Sequence, residues 1–352
     1  MKIHKILAWS LASLMTLSLA ACGGNTDQKP PASSAPASSA ASDAGAKKYD
    51  KMTIVVGDIY NETTTQGQAL NAFKEYVEKN SDGQIFVDIY HGGSLGSEGE
   101  HAQALLEGSI DLIFSGTAGV GLYAPATAVF EAWYAFGSID GIMETYQSIE
   151  GTLDTAFQEQ GFKLLGCYYD GPRQILSNKS ITSIADLKGL KLRAPGSSIY
   201  VNSITALGAN AISMSLGDVY TSLQTGAIDA MEGTVDLIVN QKFFEQAKYL
   251  IEDSHVYQPL FVTYNLKSWD KLNADTQKLI AEGVAASEEV QLTLYKENLE
   301  KQNQILKDAG IEFLTLTDRD GWIQAVSKVS SEYAAQYGDL GKSILEAIQK
   351  HQ

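Results

Sequence analysis

The sequence predicts an α/β protein built on a mainly parallel sheet with helices on both faces. Apolar runs without helical period alternate with amphipathic helical segments, and this rhythm occurs twice along the chain. A helical pattern then covers residues 273–307, which at about 1.5 Å per residue would span roughly 50 Å. That length suits a brace across two α/β modules. With 352 residues, 44% of them hydrophobic, the chain can bury such a core.

The first module contains alternating strand and helix patterns. Its strands are rich in β-branched residues or alternate between apolar and polar residues, and its helices repeat apolar residues at helical spacing. Gly108 marks the end of the second helix. The strands are predicted at residues 51–56, 84–90 and 110–114, and the helices at residues 66–79 and 98–107.

The second module repeats this rhythm after a return crossing of the chain. Turn residues separate its apolar runs, and Gly226 closes its last helix. The strands are predicted at residues 162–169, 173–177, 190–193 and 211–214, and the helices at residues 197–207 and 219–225.

The N-terminus has the pattern of a secretory signal peptide. Lys2 and Lys5 precede an apolar run that is too short to span a bilayer, so we interpret residues 1–21 as the signal. The run ends in LAACG, which resembles the bacterial lipobox. That resemblance implies cleavage before Cys22 and lipidation of its thiol. The alternative is ordinary cleavage at the small residues, with Cys22 incidental.

The segment after Cys22 is predicted to be a flexible tether. Residues 22–48 are rich in Ser, Ala, Pro and Gly and contain hardly any large apolar side chain, so they cannot offset their ordering entropy. Random-coil scaling gives the tether a reach of about 30 Å. We therefore expect an extracytoplasmic protein that is lipid-anchored to the cell membrane, on the periplasmic face in a Gram-negative host.

Charge and composition exclude several classes of function. The formal net charge is −16, and removal of Lys2 and Lys5 with the signal makes it −18. Because such a chain is repelled by phosphate backbones, we expect no nucleic-acid partner. Two cysteines and few histidines predict no metal site. We also expect no cofactor, because the glycine pattern at residues 119–124 is interrupted by Pro125 where a phosphate-binding helix should continue.

One motif leaves an enzymatic alternative open. Residues 92–96 read GGSLG, which matches the Gly-x-Ser-x-Gly elbow of serine hydrolases. An exported hydrolase would use Ser94 as nucleophile and His255 as base. The glycines fit an ordinary flexible loop better than a nucleophile elbow, and we expect no catalytic residues.

Two arginines are the strongest candidates for ligand binding. Arg173 follows a Gly-Pro pair and Arg193 precedes an Ala-Pro pair, so each lies at a strand edge beside a turn. A guanidinium group can bind a carboxylate through two parallel hydrogen bonds. The other interpretation, that both arginines form structural salt bridges, is equally compatible with the composition.

Four segments together resemble the DctP family, the extracytoplasmic solute-binding proteins of TRAP transporters. They read RQILSN at 173–178, IADLKGLKLRAP at 184–195, LGA at 207–209 and DVYTSLQTGAID at 218–229. The resemblance extends from residue 51 to the end of the chain. It implies a two-lobed, periplasmic-binding-protein-like α/β fold with a hinge and a long bracing helix. It also implies that a small organic acid is bound and delivered to the membrane subunits of a TRAP transporter for ion-gradient-driven uptake.

The resemblance also assigns the lobes and the site. Lobe I is expected at 49–170 plus about 259–298, and lobe II at 171–258 plus about 299–352. Arg193 matches the family arginine that clamps the substrate carboxylate, and Arg173 matches one that assists it. The other substrate-binding residues expected on the same grounds are Glu98, Tyr169, Leu216, Glu232 and Gly233.

Two departures from the family pattern suggest a less polar ligand. Gly116 and Gly233 stand where relatives have polar ligand contacts. We therefore expect an acid with an apolar body to bind better than a sugar acid of equal size. If other side chains supply polar contacts to the ligand, the sugar acid would instead bind better. The sequence leaves open whether Trp133 and Tyr134 line the pocket or the core. The residues that could restore such contacts are Asp58, Tyr60, Asn61, Glu98 and Glu232.

Overall fold

A single mixed sheet organises the protein. The computed structural model describes residues 48–351, so the predicted signal, Cys22 and the tether up to residue 47 lie outside the described residues. In the described chain nine strands pair in the order β2-β1-β3-β8-β4-β7-β5-β6, and β9 adds to β8. The strands are β1 Met52–Gly57, β2 Ile85–Tyr90, β3 Leu112–Ser115, β4 Phe162–Ser177, β5 Lys191–Ala194, β6 Asn210–Ser213, β7 Ala230–Thr234, β8 Tyr249–Asn265 and β9 Glu312–Leu314.

Helices follow the predicted rhythm closely, because their ends carry recognisable caps. Ser97 and Glu100 form a capping box at the start of α2, and Gly108 ends that helix with a φ of 83°. The helices are α1 Thr65–Asn80, α2 Glu98–Glu107, α3 Ile139–Glu159, α4 Ser198–Ala206, α5 Val219–Thr225, α6 Val235–Asn240, α7 Leu266–Trp269, α8 Ala274–Asp308, α9 Arg319–Val326, α10 Val329–Gln336 and α11 Gly338–Lys350.

The sheet has two parallel ends joined by an antiparallel centre, which gives the two-lobed fold. β1 pairs in parallel with β2 and β3, and β5 pairs in parallel with β6 and β7. Between these ends, the long strands β4 and β8 run antiparallel to each other and to their outer neighbours β7 and β3. The expected parallel pairing is therefore confirmed at both ends and not at the centre.

The central strand β4 corrects one prediction. We expected separate strands at 162–169 and 173–177, and the structure has one continuous strand across both. The intervening Gly171 and Pro172 are accommodated at a register shift between Asp170 and Pro172. Since proline lacks an N–H, it is tolerated inside a sheet where the ladder is already interrupted. The Gly-Pro pair thus bends the strand without ending it.

The long helix α8 is fastened to β4 by polar side chains. The Gln291 side chain accepts a hydrogen bond from the backbone N–H of Tyr169 at 3.4 Å and donates one to its carbonyl at 2.9 Å. Glu288 accepts from the N–H of Cys167 at 2.6 Å, beside another register shift. These side chains take the place of a neighbouring strand, so α8 braces the sheet as predicted from its length.

None of the helices within residues 48–351 combines the length and hydropathy needed to cross a membrane. The described part of the chain also contains no group of three or more His, Cys, Asp or Glu placed to hold a metal ion.

Candidate functional site

A cavity of about 620 Å³ lies beside the centre of the sheet and contains both candidate arginines. Arg173 is on β4 and Arg193 on β5, and the intervening strand β7 carries Glu232. β8, on the other side of β4, contributes Gln258 to the cavity wall. Side chains from β8, β4 and β5 therefore line one wall of the site, and β7 carries Glu232 between the two arginine strands. Its volume is typical of small-molecule binding sites.

Arg173 is held almost completely by protein groups. Its Nε donates to Glu232 Oε2 at 2.5 Å, and its Nη2 donates to Glu232 Oε1 at 2.8 Å and to the Glu232 carbonyl at 3.1 Å. Its Nη1 donates to Gln258 Oε1 at 2.7 Å. A guanidinium group has five N–H donors, so Arg173 keeps one for a ligand, on Nη1.

Arg193 keeps more of its donors. Its Nε and Nη2 donate to the carbonyl of Met214 at 3.2 and 3.1 Å. Its Nη1 lies 3.6 Å from Glu232 Oε1, which is an ion pair without a hydrogen bond. Three N–H donors remain, two on Nη1 and one on Nη2, and their fork matches a carboxylate. The arrangement favours Arg193 as the bidentate clamp and Arg173 as the single-donor assistant.

Glu232 is the counter-ion of the two arginines. Its side chain is fully buried, and it does not line the cavity. Burial alone would raise the pKa of its carboxyl group, but the Arg173 guanidinium and a hydrogen bond from His255 hold that pKa well below its usual range. Two cations and one carboxylate leave one unit of positive charge. This geometry points to a positioning role for Glu232 rather than the ligand contact that the resemblance implied.

A second carboxylate faces the cavity from α2. Glu98 Oε1 accepts hydrogen bonds from the hydroxyl of Ser115 and the backbone N–H of Gly116, both at 2.8 Å. Burial raises the pKa of Glu98, although these two hydrogen bonds oppose the shift. Glu98 lines the cavity as the resemblance implied, and Leu216 lines it too.

Two other predicted ligand contacts lie away from the cavity lining. Tyr169 is buried against the ring of Tyr146, with ring centroids 6.4 Å apart. Gly233 lies beside Leu237, and a Cβ built there would be 3.9 Å from Arg173 Nη2. Tyr169 therefore lies in the core, and Gly233 lies next to the Arg173 side chain without lining the cavity.

Trp133 is buried and Tyr134 is half-buried, and both pack beside His255. The ring of Trp133 packs on the imidazole of His255, with centroids 4.0 Å apart. The backbone N–H of Tyr134 donates to the His255 carbonyl at 2.6 Å, and its φ of 61° is uncommon for a bulky residue. Both residues support the strand that carries His255, and neither is among the residues lining the cavity.

The space beside Gly116 is filled by polar side chains, so the missing side chain at this position does not leave an apolar gap. A Cβ at position 116 would lie 2.4 Å from Gln258 Nε2 and 2.7 Å from Glu131 Oε1. Two polar groups absent from the predicted site therefore occupy the space. Glu131 is fully buried, and its burial raises the pKa of its carboxyl group to about 7. A single acid within the apolar run ATAVFEAW was the available signal for it.

The hydrolase alternative finds no support in the geometry. Ser94 is exposed in the turn between β2 and α2, whereas His255 is fully buried. His255 Nδ1 lies 2.8 Å from Asp253, and its Nε2 lies 3.4 Å from Glu232. Because carboxylates occupy both ring nitrogens, His255 is not free to activate an exposed serine.

Comparison with known proteins decides the family. The family model described as bacterial extracellular solute-binding protein, family 7 (DctP) matches residues 56–336. The chain belongs to this family. The resemblance seen in the sequence is thereby confirmed, and the family's members are extracytoplasmic solute-binding proteins.

Three relatives illustrate the range of bound solutes. A TRAP periplasmic solute-binding protein of Roseobacter denitrificans, solved with bound L-galactonate, is 27% identical, and the match covers 86% of this chain and 99% of that one with a TM-score of 0.79. The sugar acid binding protein of Advenella mimigardefordensis, in complex with galactonate, is 26% identical, with coverage of 86% and 100% and a TM-score of 0.82. A C4-dicarboxylate-binding protein of Bacillus subtilis is 26% identical over 303 residues, covering 84% of this chain and 87% of the relative.

The three unused N–H donors of Arg193 predict that its substitution weakens ligand binding strongly. We expect Arg193→Ala to weaken binding of a carboxylate ligand by about 2 to 5 kcal/mol, because the fork is lost and Glu232 loses a cation. Arg193→Lys should recover only part of this loss, since the charge returns without the fork. Isothermal titration calorimetry measures both effects. The control is Lys179→Ala, an exposed cation paired with Asp229, and near-native affinity in Arg193→Ala would refute the clamp.

Proposed function

We propose that this protein binds a monocarboxylic acid rich in hydroxyl groups, such as an aldonate or a uronate, and passes it to TRAP membrane subunits. The single observation that carries the proposal is the charge of the site. The ion-paired cluster of the two arginines and Glu232 leaves one positive unit, which suits one carboxylate, and among the described residues the acidic side chains that line the cavity form no ion pair with either arginine. The acidic side chains that share the cavity are Glu98, Glu100 and Asp218.

The rest of the cavity favours hydroxyl groups over a second carboxylate. Ionised carboxylates only accept hydrogen bonds, and a sugar hydroxyl can donate one. Ser213, Ser215 and Gln241 add further polar groups to the same lining. A second ligand carboxylate would meet like charge from Glu98 and Asp218, which costs binding energy. The cavity thus supports a sugar acid rather than the ligand with an apolar body expected from the sequence.

The ligands of the relatives agree with this choice. Galactonate, bound by the Roseobacter and Advenella proteins, has one carboxylate and several hydroxyl groups. The Bacillus relative is described as binding C4-dicarboxylates, so family membership alone does not select the ligand. The charge of the site supports the first class for this protein.

We propose further that the lobes comprise residues 49–170 with about 259–298, and residues 171–258 with about 299–352. The register shift of β4 between Asp170 and Pro172 supports a hinge at this boundary, and Tyr257 on β8 pairs with Pro172 there. α11 packs against α3, so the C-terminal residues also contact the first lobe.

Hinge closure around the ligand predicts a change in overall size. Because the site lies where the lobes meet, burial of the acid should draw them together. We expect small-angle X-ray scattering to give a smaller radius of gyration at saturating ligand than without it. An unchanged radius, with binding confirmed in the same sample, would refute the hinge.

We also propose that Cys22 carries a lipid anchor on the mature protein. The lipobox-like LAACG sequence and the tether that follows it support this placement at the outer side of the cytoplasmic membrane. After expression in a bacterial host, the wild-type chain should fractionate with membranes and extract with detergent. Cys22→Ser should be released into the soluble extracytoplasmic fraction, and membrane retention of that variant would overturn the anchor.

A panel of acids tests the proposed function directly. Thermal shift followed by calorimetry should rank aldonates and uronates above succinate and above an unsubstituted monocarboxylate such as hexanoate. The expected margin is at least about tenfold in Kd, since an apolar tail would leave polar groups of the cavity lining without hydrogen-bond partners, which costs binding energy. Tighter binding of succinate or hexanoate would show that the charge of the site was misjudged.

A further inference from the structure

The side chain of Gln258 has a fixed orientation in the cavity wall. Its Oε1 accepts from Arg173 Nη1 at 2.7 Å, and its Nε2 donates to Glu131 Oε1 at 2.9 Å. A guanidinium group can only donate, so the amide oxygen must face Arg173 and the amide nitrogen must face Glu131.

Glu131, the partner of the Gln258 amide nitrogen, is itself held in place by Thr117. Glu131 Oε1 also accepts from the backbone N–H of Thr117 at 3.0 Å, and Glu131 Oε2 contacts the Thr117 hydroxyl. Gly116 leaves the space in which the two side chains meet, because any Cβ there would overlap them. These contacts hold the amide in place before a ligand arrives, which reduces the entropic cost of binding.

Gln258 retains hydrogen-bonding capacity on both amide atoms. One N–H and one lone pair remain after the bonds to Glu131 and Arg173, and the side chain lines the cavity although only 7% of its surface is exposed. A hydroxyl group can donate to one of these atoms and accept from the other. A methylene group in the same place would leave both unpaired.

The position of Gln258 relative to Arg173 determines which ligand group it meets. The remaining N–H of Arg173 is on Nη1, the same nitrogen that binds Gln258. A carboxylate held by that N–H places its neighbouring carbon within reach of the amide. We propose that Gln258 selects acids with a hydroxyl group on the carbon next to the carboxylate, an inference that rests on the proposed function.

The test compares acids that differ only in that hydroxyl group. The probes are galactonate with 2-deoxygalactonate, and lactate with propionate, each titrated calorimetrically into the full chain. We expect the wild type to prefer the hydroxylated member by at least about tenfold, because a site built for a hydroxyl rejects the analogue without one. In Gln258→Met, which has similar length and no amide, the ratio should fall to about one. The matched control is Gln304→Met, on the exposed surface of α8.

A second variant keeps the test decisive if Gln258→Met loses all binding or fails to fold. Gly116→Ala leaves Gln258 in the chain and pushes its amide aside, so it should lower the same ratio several-fold with a native circular dichroism spectrum. An unchanged ratio in a folded, ligand-binding Gln258→Met or Gly116→Ala protein would overturn the role of Gln258. If the wild type bound none of the sugar acids, the proposed function itself would fail. Sugar-acid binding with no preference between pair members would overturn the inference alone.

Discussion

The ion pair between Glu232 and the two arginines is the interaction on which the site depends. Buried guanidinium groups without a counter-ion would cost several kcal/mol each, so Arg173 and Arg193 can occupy the interior only with Glu232 between them. The same residue accepts hydrogen bonds from three of the five N–H donors of Arg173, two through its carboxylate and one through its backbone carbonyl, and leaves the fork of Arg193 available. His255, itself packed by Trp133, fixes the other side of Glu232. One buried acid therefore positions both arginines, reduces their combined charge to one positive unit, and determines how many N–H donors each keeps for a ligand.

The sheet order makes this arrangement possible. β8, β4, β7 and β5 are consecutive in the sheet, and they carry the polar side chains of this cluster: His255 and Gln258, Arg173, Glu232 and Arg193. The strands on either side pair in parallel, and the antiparallel centre brings together segments from distant parts of the chain. Gln258 and Glu131, separated by 127 positions, meet there at 2.9 Å.

Local patterns predicted most of the fold, whereas the buried polar contacts needed the structure. Helices α2 and α5 have their predicted bounds because Gly108 and Gly226 end them with left-handed backbone. The sequence prediction divided β4 into two strands, because a Gly-Pro pair gives the same sequence pattern whether it ends a strand or lies within one. Motif positions located Arg193 and Glu98 in the cavity. Glu232 was taken for a ligand contact, because a sequence does not show which buried charges neutralise one another.

The shared strands β4 and β8 have a consequence for how new specificities can arise by recombination. Each strand begins beside one set of parallel strands and ends beside the other, so the two parallel ends of the sheet share both strands. No single crossover between two related genes can exchange one parallel end of the sheet together with the adjoining parts of β4 and β8. Chimeras that keep both halves of the sheet intact must exchange at least two segments at once, with matched bulges in β4. Point substitutions along the cavity wall are the simpler way for this fold to acquire a new specificity. The pair of Gly116 and Gln258, in which a small residue leaves space for a polar side chain, is an example.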